Sequence, residues 1–442
     1  MRRMAFSVSD LERALALQPA VRRWVVAYSG GLDSTVLLHA LVALKLPAAH
    51  CALHINHQLS PHSHDWQRHC AAFCARLNTP FCAATVQVER DGSGIEAAAR
   101  RARYSMFERF LQPGDCLLQA HHLDDQAETL LLRLLRGSGP RGLAAIRAAR
   151  ELGRGRLYRP LLAVDREQLH AYARAQQLSW IDDESNLDTR FDRNYLRREV
   201  LPLLQRRWPD YRRRFQQAAA LCAATDQLNR DTAAADLAAL GPRAERLGAS
   251  IDLHGLRAWP QPRRNNVLRY WFSQRQLPLP ELVHLQQLQR QILDGGCNSS
   301  AQVAWGEVVL RCYGDRLFCL PRLPAKPVSA GLRWALRAPL ALPAGGSLAA
   351  VPAAAGAGRL RLLEEVEVRH RGGGERCRPH DRNHSQTLKK LLQERRLEPW
   401  LRDRVPLIYV GAALAAVGDL WVCKDFTAPP GEPGLRLDWR FD

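Results

Sequence analysis

Six residues near the start of the chain have the composition of a phosphate-binding loop. Residues 29–34 have the sequence Ser-Gly-Gly-Leu-Asp-Ser, between an apolar run at residues 24–28 and an amphipathic stretch at residues 34–44. Glycines permit a sharp turn and a close approach of the main chain to a ligand. The amides at the start of the following helix attract an anion. The expected phosphate ligands are Ser29, Gly30, Gly31, Leu32 and Ser34.

A carboxylate also belongs to this loop, at Asp33. A carboxylate beside phosphate oxygens needs a cation, and a Mg²⁺ ion bridging the two would supply it. Serine and aspartate also cap ordinary helices, which is the alternative for any one of these residues. The complete hexapeptide after a buried strand favours phosphate binding. The Walker pattern GxxxxGK[ST] does not occur in the sequence.

A second group of polar residues follows an apolar run at residues 115–120. Its members are His121, His122, Asp124, Asp125 and Glu128. Asp125 and Glu128 are three residues apart, so they share one face of a predicted helix at residues 123–135. Their place between the end of a predicted strand and the start of a helix makes all five candidate site residues. The alternatives are helix capping for the two aspartates, a solvated face for the glutamate and packing for the histidines.

Alternating strands and helices must position both groups. Further strands are predicted at residues 51–55, 81–88 and 157–162, and a long helix at residues 95–111. This alternation predicts an α/β, Rossmann-like domain whose mostly parallel sheet is covered on both faces. Ligands of such sheets bind beyond the carboxyl ends of the strands, where both groups lie.

The chain divides by composition into four segments. Residues 1–215 carry the strand–helix alternation, and residues 216–320 form a helical and mixed middle domain with a hairpin at Gly314. Residues 321–358 are rich in Ala, Pro and Gly, which predicts a linker or a loosely packed strand segment. Residues 359–442 are predicted to form a small, basic α+β domain.

The charge of the chain indicates a polyanionic partner. Lysine and arginine number 63 against 44 acids, which gives a net charge of +19. The excess is pronounced at residues 190–214 and 367–406, and favours nucleic acid as the partner. Trp208 and Trp400 lie in these regions and could stack on bases, although tryptophan more often packs in a core. A generally basic protein without such a partner is the alternative.

Length and composition exclude several classes of protein. With 442 residues, 46% of them hydrophobic and 24% charged, the chain should fold into two to four domains. Its apolar runs are too short for a membrane span, and the start has no signal-peptide pattern. The eleven scattered cysteines include no CxxC pair, which predicts reduced thiols and a cytoplasmic location. A homodimer is compatible with the sequence.

The hexapeptide resembles the pyrophosphate-loop (PP-loop) signature of the ATP pyrophosphatases. Enzymes of that superfamily cleave ATP between its α and β phosphates and adenylate a substrate oxygen. Further segments resemble the tRNA(Ile)-lysidine synthetase family, namely residues 54–60, 94–104, 120–129, 136–139, 182–186 and 192–197. The resemblance resumes at residues 373–379 and 388–394, and is only general in the middle of the chain.

The resemblance implies a reaction and its substrates. ATP, with Mg²⁺, adenylates the oxygen on carbon 2 of the wobble cytidine in a tRNA(Ile) with a CAU anticodon. Free L-lysine then displaces AMP to give lysidine. The resemblance therefore implies an acidic lysine site, with Asp124, Asp125 and Glu128 as candidates. A carboxylate, His121 or His122 would accept the proton of lysine. Adenine is expected near Ala27 and His54, at the ends of two strands.

The remaining residue roles expected on this basis form two sets. The catalytic residues are Asp33, His121, Asp125, Glu128 and Arg197, with Asp33 as the metal ligand. The substrate contacts are Arg100, Arg103, Asp124, Asn194, Lys389 and Lys390. A solvated helix face is the alternative for the two arginines of the second set, and bracing of a loop is the alternative for Asn194 and Arg197.

Other functions share parts of this pattern. The tRNA 2-thiocytidine enzymes have the same loop, but they carry CxxC pairs that this chain lacks. A small-molecule adenylating enzyme would not need the positive charge, and a non-catalytic RNA-binding protein would not need Asp33. A zinc site is conceivable around residues 62–74, although four well-placed ligands are not evident.

Overall fold

The computed structural model describes residues 5–88, 94–184, 188–295, 301–324, 331–343, 345–354, 356 and 358–441. Residues 185 and 186 of the segment at 182–186 lie outside the described residues. The chain forms two compact units, Met1–Leu228 and Asn229–Asp442. Each unit is described separately below.

The first unit contains six strands and ten helices in its described residues. In chain order these are α1 Val8–Ala16, β1 Arg23–Ala27, α2 Leu32–Ala43, β2 Ala49–Asn56, α3 Ser63–Arg76, β3 Phe81–Thr85, α4 Ile95–Phe110, β4 Asp115–Leu118, α5 Leu123–Leu135, α6 Pro140–Leu143, β5 Ala149–Leu152, β6 Gly155–Tyr158, α7 Arg166–Ala175, α8 Asp192–Tyr195, α9 Leu201–Arg207 and α10 Tyr211–Ala239. A π-helical turn, Leu196–Val200, joins α8 to α9. The last helix, α10, continues past the boundary into the second unit.

One six-stranded sheet organises the first unit, in the order β3-β2-β1-β4-β6-β5. Every neighbouring pair is parallel except β5 with β6, so the prediction of a mostly parallel sheet is confirmed. Buried apolar residues on both faces of β1, such as Val25 and Val26, explain why helices cover the sheet on both sides. The carboxyl ends of β1, β2 and β4 lie side by side, which brings the segments that follow them together.

Most elements predicted for the first unit are present in the structure, with their ends shifted by a few residues. Four predicted strands overlap β1 to β4, and the helix predicted at residues 123–135 has the same limits as α5. The strand predicted at residues 157–162 instead ends at Tyr158, since Pro160 cannot donate a ladder hydrogen bond. The antiparallel strand β5 was not predicted.

The second unit contains fifteen strands in its described residues. Its elements after α10 are β7 Arg243–Ala244, β8 Ala249–Asp252, α11 Leu253–Ala258, α12 Gln261–Gln274, α13 Leu282–Leu288, β9 Gln302–Trp305, β10 Val308–Tyr313, β11 Arg316–Pro321, β12 Leu332–Trp334, β13 Leu340–Ala341, β14 Ser347–Ala353, β15 Val366–Arg369, β16 Arg376–Cys377, β17 Gln386–Thr387, α14 Leu388–Glu394, α15 Pro399–Arg402, β18 Leu407–Val410, β19 Ala413–Val417, β20 Trp421–Val422 and β21 Gly434–Arg440. Their sheets are β7-β8-β11-β10-β9, β12-β15-β18-β19-β20, β13-β14-β21 and β16-β17.

Two sequence predictions fall in this unit. The hairpin around Gly314 is confirmed, since β10 and β11 pair along their length and Gly314 has φ +54°. The segment at residues 321–358, expected to be a linker or loosely packed, contains β12, β13 and β14. The last of these pairs over seven residues with β21, and its Leu348 is fully buried. Small alanine side chains left this strand without a clear alternating pattern.

Two further observations concern the whole of the described chain. None of its helices combines the length and the apolar character that a membrane span needs. Ten cysteines lie in the described ranges, and all ten are free thiols.

Candidate active site

The loop after β1 depends on Gly30. This residue has φ +86°, which favours glycine. A Cβ atom at this position would lie 2.7 Å from the Sγ atom of Cys70 and 2.6 Å from the Cδ1 atom of Ile181. The amide of Ile181 donates a hydrogen bond of 2.9 Å to the carbonyl of Gly30. Cys70 and Ile181 therefore pack against Gly30 so closely that only glycine fits at this position.

Hydroxyl groups brace the loop through hydrogen bonds to each other and to its main chain. The hydroxyl oxygens of Ser29 and Ser34 are 3.0 Å apart, and Ser29 Oγ accepts a bond from the amide of Gly31. The hydroxyls of Ser34 and Thr35 both donate to the carbonyl of Gly31, at 3.0 and 2.9 Å. The next residue, Leu32, begins α2. The first amides of a helix have no partner within it, so a braced loop and an anion-attracting helix start stand together, as predicted.

Asp33 has one carboxylate oxygen without a hydrogen-bond partner. Its Oδ1 atom is buried and unpaired, and its Oδ2 atom lies 3.5 Å from the Nε2 atom of His122. An unpaired carboxylate oxygen beside a phosphate loop suits a hard cation such as Mg²⁺. In the described parts of the chain no group of three or more candidate metal ligands occurs. A metal at Asp33 would therefore take its remaining ligands from phosphates and water.

His122 connects the loop to the acidic residues that follow β4. Its imidazole is buried, with Nε2 3.6 Å from the Oδ2 atom of Asp125 and Nδ1 3.6 Å from the Oδ2 atom of Asp124. Burial alone would lower the pKa of His122, but Asp125, Asp33 and Asp124 outweigh it and raise the pKa to about 9. The ring is therefore an imidazolium at neutral pH and cannot accept a proton.

Glu128 is fully buried between two arginines. Its Oε1 atom accepts a bond of 2.7 Å from Arg197 Nε, and its Oε2 atom accepts one of 2.7 Å from Arg193 Nε. Both guanidinium pKa values lie above the usual range; burial lowers them, but the carboxylates of Glu128 and Asp125 outweigh it. This carboxylate therefore organises arginines in the structure.

Asp125 lies beside this pair. Its Oδ2 atom accepts the amide of His122 at 3.0 Å, and its Oδ1 atom is 3.3 Å from Arg193 Nη2. Burial would raise the pKa of Asp125, but His122, His121 and Arg193 hold it below the ordinary range. Asp125 is therefore an anion at neutral pH.

Asp124 has a bracing role. It accepts a hydrogen bond from Arg212 Nε on α10 and another, of 3.0 Å, from the amide of Arg166 at the start of α7. These contacts fix α7 and α10 to α5. They leave less of the carboxylate available to a substrate. The capping alternative noted for the two aspartates applies instead to Asp125, which accepts the amide of His122 at the start of α5.

His121 points to a different set of partners. Its Nδ1 atom accepts a bond of 3.0 Å from the Nε–H of Arg159. Burial lowers the pKa of His121 to about 3, with help from Arg159 and Arg193 and against the pull of Asp125. The two neighbouring histidines are thus in opposite protonation states at neutral pH.

The residues expected near adenine lie at the ends of adjacent strands. Ala27 is the last residue of β1 and pairs with Leu53 of β2. His54 is buried on β2, and its Nδ1 atom is 3.0 Å from the carbonyl of Tyr28. Burial lowers the pKa of His54, despite this bond.

The expected substrate contacts are more dispersed. Arg100 is exposed on α4 and stacks 4.9 Å over the ring of Tyr104, while Arg103 is half-buried on the same helix. Asn194 donates to the carbonyl of Asp188 at 2.9 Å, which braces its own loop. Lys389 and Lys390 are exposed on α14 of the second unit. The first unit therefore brings together the loop, Asp125, Glu128 and Arg197.

Two arginines of the site were missed at the sequence level. Arg193 precedes Arg197 by four residues, and this spacing on a helix could have indicated a shared face. Arg159 stands at the end of β6, where the sequence shows only an interruption of an apolar run. Its partners lie 12 to 55 residues away in the chain, which no local pattern reveals.

Comparison with known proteins identifies the family of this chain. Family models match residues 7–204 as a PP-loop domain, 251–318 as a TilS substrate binding domain and 366–439 as a TilS substrate C-terminal domain. The tRNA(Ile)-lysidine synthase of Alkalilimnicola ehrlichii is 43% identical over 96% of each chain. That of Coxiella burnetii is 39% identical over 98% of this chain and 96% of its own. That of Xanthomonas axonopodis pv. citri is 42% identical over 94% of this chain and 93% of its own. The chain belongs to the tRNA(Ile)-lysidine synthase family of PP-loop, ATP-using enzymes.

Proposed function

We propose that this chain uses ATP to join free L-lysine to carbon 2 of the wobble cytidine of a tRNA(Ile) with a CAU anticodon. AMP and diphosphate are the other products, and the modified base is lysidine. The observation that carries the proposal is the junction at His122. There a phosphate loop and a set of carboxylates and arginines meet at one edge of the sheet.

The first step is activation of the base. The oxygen on carbon 2 of the cytosine attacks the α-phosphorus of ATP, and diphosphate leaves. The loop amides and the hydroxyls of Ser29 and Ser34 bind and orient the phosphates. Asp33 would hold Mg²⁺, which when bound offsets negative charge on the phosphates. The charged His122 holds Asp33 in position.

The second step is transfer of lysine. Its ε-amine attacks carbon 2, and the carbon–oxygen bond to AMP breaks. The ammonium must first lose a proton, and since His122 is already charged, a carboxylate is the acceptor we favour. We assign the ammonium to Asp125, because Glu128 accepts close bonds from Arg193 and Arg197 and Asp124 accepts one from Arg212. The contacts of Asp125 with arginine are longer, 3.3 Å to Arg193 and 3.8 Å to Arg197. Glu128 then acts by fixing the two arginines beside Asp125.

The tRNA is a polyanion, and basic residues of each unit can bind it. We assign Arg100, Arg103, Lys389 and Lys390 to contacts with its backbone, which carry affinity and salt dependence. Arg197 and Asn194 hold the segment that faces the wobble base. The domain limits at residues 215, 320 and 358, a cytoplasmic location and a homodimer belong to the same proposal.

The direct test is incorporation of radiolabelled lysine into a tRNA(Ile) transcript. ATP and Mg²⁺ are supplied, and the control transcript has uridine at the wobble position. We expect label that depends on ATP and on the wobble cytidine. Asp33→Asn should keep the fold and lose at least about 100-fold in rate, since the removed charge acts on the phosphates. Folded protein that binds ATP but gives no label would contradict the proposal.

A further inference from the structure

Arg159 is buried against groups that carry no charge. Only 5% of its surface is exposed. Its guanidinium donates to Gln119 Oε1 at 3.0 Å, to the hydroxyl of Tyr104 at 3.3 Å and to the carbonyl of Arg147 at 2.7 Å. The fourth acceptor is the Nδ1 atom of His121, at 3.0 Å. A buried arginine with every partner neutral is costly to maintain, which suggests a task beyond stability.

The bond to His121 determines where that ring carries its hydrogen. A guanidinium nitrogen is always a donor, so Nδ1 of His121 must offer a lone pair. The neutral ring then carries its hydrogen on Nε2. Protonation of Nδ1 would break this bond and place two cations in contact.

We propose that Arg159 is a positioning residue that fixes His121 as the neutral tautomer with hydrogen on Nε2, so that His121 donates a hydrogen bond to an oxygen of the reacting groups. His121 then neither takes the proton of lysine nor supplies one. The identity of the acceptor rests on the proposed function, where phosphate oxygens of ATP and the base oxygen are the two candidates. The tautomer itself does not depend on that function.

The other groups around His121 agree with a neutral ring. Asp125 favours the imidazolium, whereas Arg159, Arg193 and Arg100 oppose it, and burial opposes it most strongly. Removal of Arg159 would leave Asp125 with less opposition. The pKa of His121 should then rise from about 3 toward its ordinary value. Because burial, Arg193 and Arg100 still act in that variant, the pKa of His121 would stay below its ordinary value.

The tautomer can be observed without ATP or tRNA. Protein with ¹⁵N-labelled histidine is examined by NMR from pH 5.5 to 8, and the His121 signals are identified by their loss in His121→Gln. We expect the Nε2–H tautomer throughout this range, and a measurable Nδ1–H population in Arg159→Gln, where no obligatory donor faces Nδ1. A wild-type His121 that titrates near pH 6.5, or that carries hydrogen on Nδ1, would overturn the proposal. This result stands whether or not lysidine formation is found.

Activity separates a hydrogen-bond donor from a base. The glutamine of His121→Gln can donate from a position close to Nε2 but cannot accept a proton at working pH. We expect this variant to lose no more than about tenfold in rate, and His121→Phe at least about 100-fold. Equal losses in the two variants would overturn the donor role. A raised KM for ATP would identify a phosphate oxygen as the acceptor, and a lowered kcat would identify an oxygen charged only during reaction.

The pH profile of Arg159→Gln completes the test. An acidic limb should lie at a higher pH in its profile than in the wild-type profile, because the pKa of His121 rises and a protonated His121 no longer matches the site. The double variant Arg159→Gln with His121→Gln should lack this limb, and Arg159→Lys should show a weaker one. Thermal unfolding checks that each variant is folded. A limb that persists in the double variant would assign the titration to another group and contradict the proposal.

Discussion

The phosphate loop and the acidic cluster differ in how they satisfy their polar groups. The loop holds its shape through glycine geometry and neutral hydroxyl and main-chain bonds, with Asp33 as its single charge. The cluster contains charged groups almost entirely paired with each other, as Glu128 with Arg193 and Arg197 shows. The loop is therefore ready to receive an anion. A cation that binds in the cluster must share a carboxylate that is already paired with an arginine.

This difference suggests a division of labour. Phosphates can dock on preformed donors at little cost in reorganisation. A lysine ammonium must instead compete with arginines for a carboxylate, which selects a ligand that reaches Asp125 in the correct orientation. We expect changes in the loop to affect activation and changes in the cluster to affect transfer. The following predictions test this contrast, beginning with the largest effect.

Replacement of Gly30 by alanine should disable the loop. The new Cβ would clash with Cys70 and Ile181 in a backbone conformation that alanine resists. ATP-dependent diphosphate release should fall at least about 100-fold, since small displacements of phosphate ligands are costly. Gly31→Ala is the matched control, because the nearest side-chain atom to its Cβ, Ser29 Oγ, would lie at an ordinary contact distance of 3.5 Å. Similar losses in both variants would show that the clash is not the cause.

Replacement of Glu128 by glutamine should destabilise the first unit. Two guanidiniums would lose a fully buried carboxylate, which costs about 3 kcal/mol of unfolding free energy. Urea unfolding followed by circular dichroism measures this loss. Asp192→Asn is the control, because it removes only an exposed pair with Arg136 and should cost less than about 1 kcal/mol. Equal costs in the two variants would contradict the structural role of the cluster.

The adjacent histidines should give the protein opposite pH dependences. His122, with a pKa of about 9 when folded, stabilises fully below its unfolded value of about 6.5, and this contribution is lost as the pH rises through 9. His121 has a folded pKa of about 3, so the folded protein keeps it neutral. Its contribution to the free energy of unfolding is therefore lost as the pH falls from 6.5 through 3. Without Mg²⁺, stability should fall on the order of 2 kcal/mol from pH 6.5 to 9.

Two variants test whether His122 causes the loss of stability at alkaline pH. His122→Asn should remove most of the decline between pH 6.5 and 9 in urea unfolding. His64→Asn, at an exposed position on α3, should leave it unchanged. An undiminished decline in His122→Asn would mean that another group carries the linkage.

The smallest effect is expected at Lys389 and Lys390. Both are exposed, so their replacement by alanine should leave stability unchanged. tRNA affinity should fall a few-fold, and the slope of log affinity against log salt should lessen by about 1 to 2. ATP binding measured in parallel is the control. Unchanged tRNA affinity and slope would remove these lysines from the interface.

The sequence predicted the loop far better than the cluster. The loop is one contiguous hexapeptide after a buried strand, so composition and order suffice to recognise it. Glu128 and its arginines are 65 and 69 residues apart, and their pairing arises only when α5 and the segment at residues 192–200 pack together. A free Glu128 was therefore the natural expectation, and the structure instead shows an occupied one.

Local patterns also predicted the sheet better than the second unit. Parallel strands buried on both faces are continuous apolar runs, which are easily recognised. The strand β14 contains four small or polar residues among seven and pairs with the end of the chain. Nothing within residues 347–353 indicates that partner. Long-range antiparallel pairing of weakly apolar strands therefore escaped prediction.

The separation of the two steps is the most direct test of the account. tRNA-dependent diphosphate release without lysine reports activation, and lysine incorporation reports transfer. Asp125→Asn should keep the first within about tenfold of wild type and lose the second at least about 100-fold, because the variant lacks the carboxylate assigned to the ammonium. Wild-type transfer by this variant, or an equal loss in both assays, would contradict the division between the loop and the cluster.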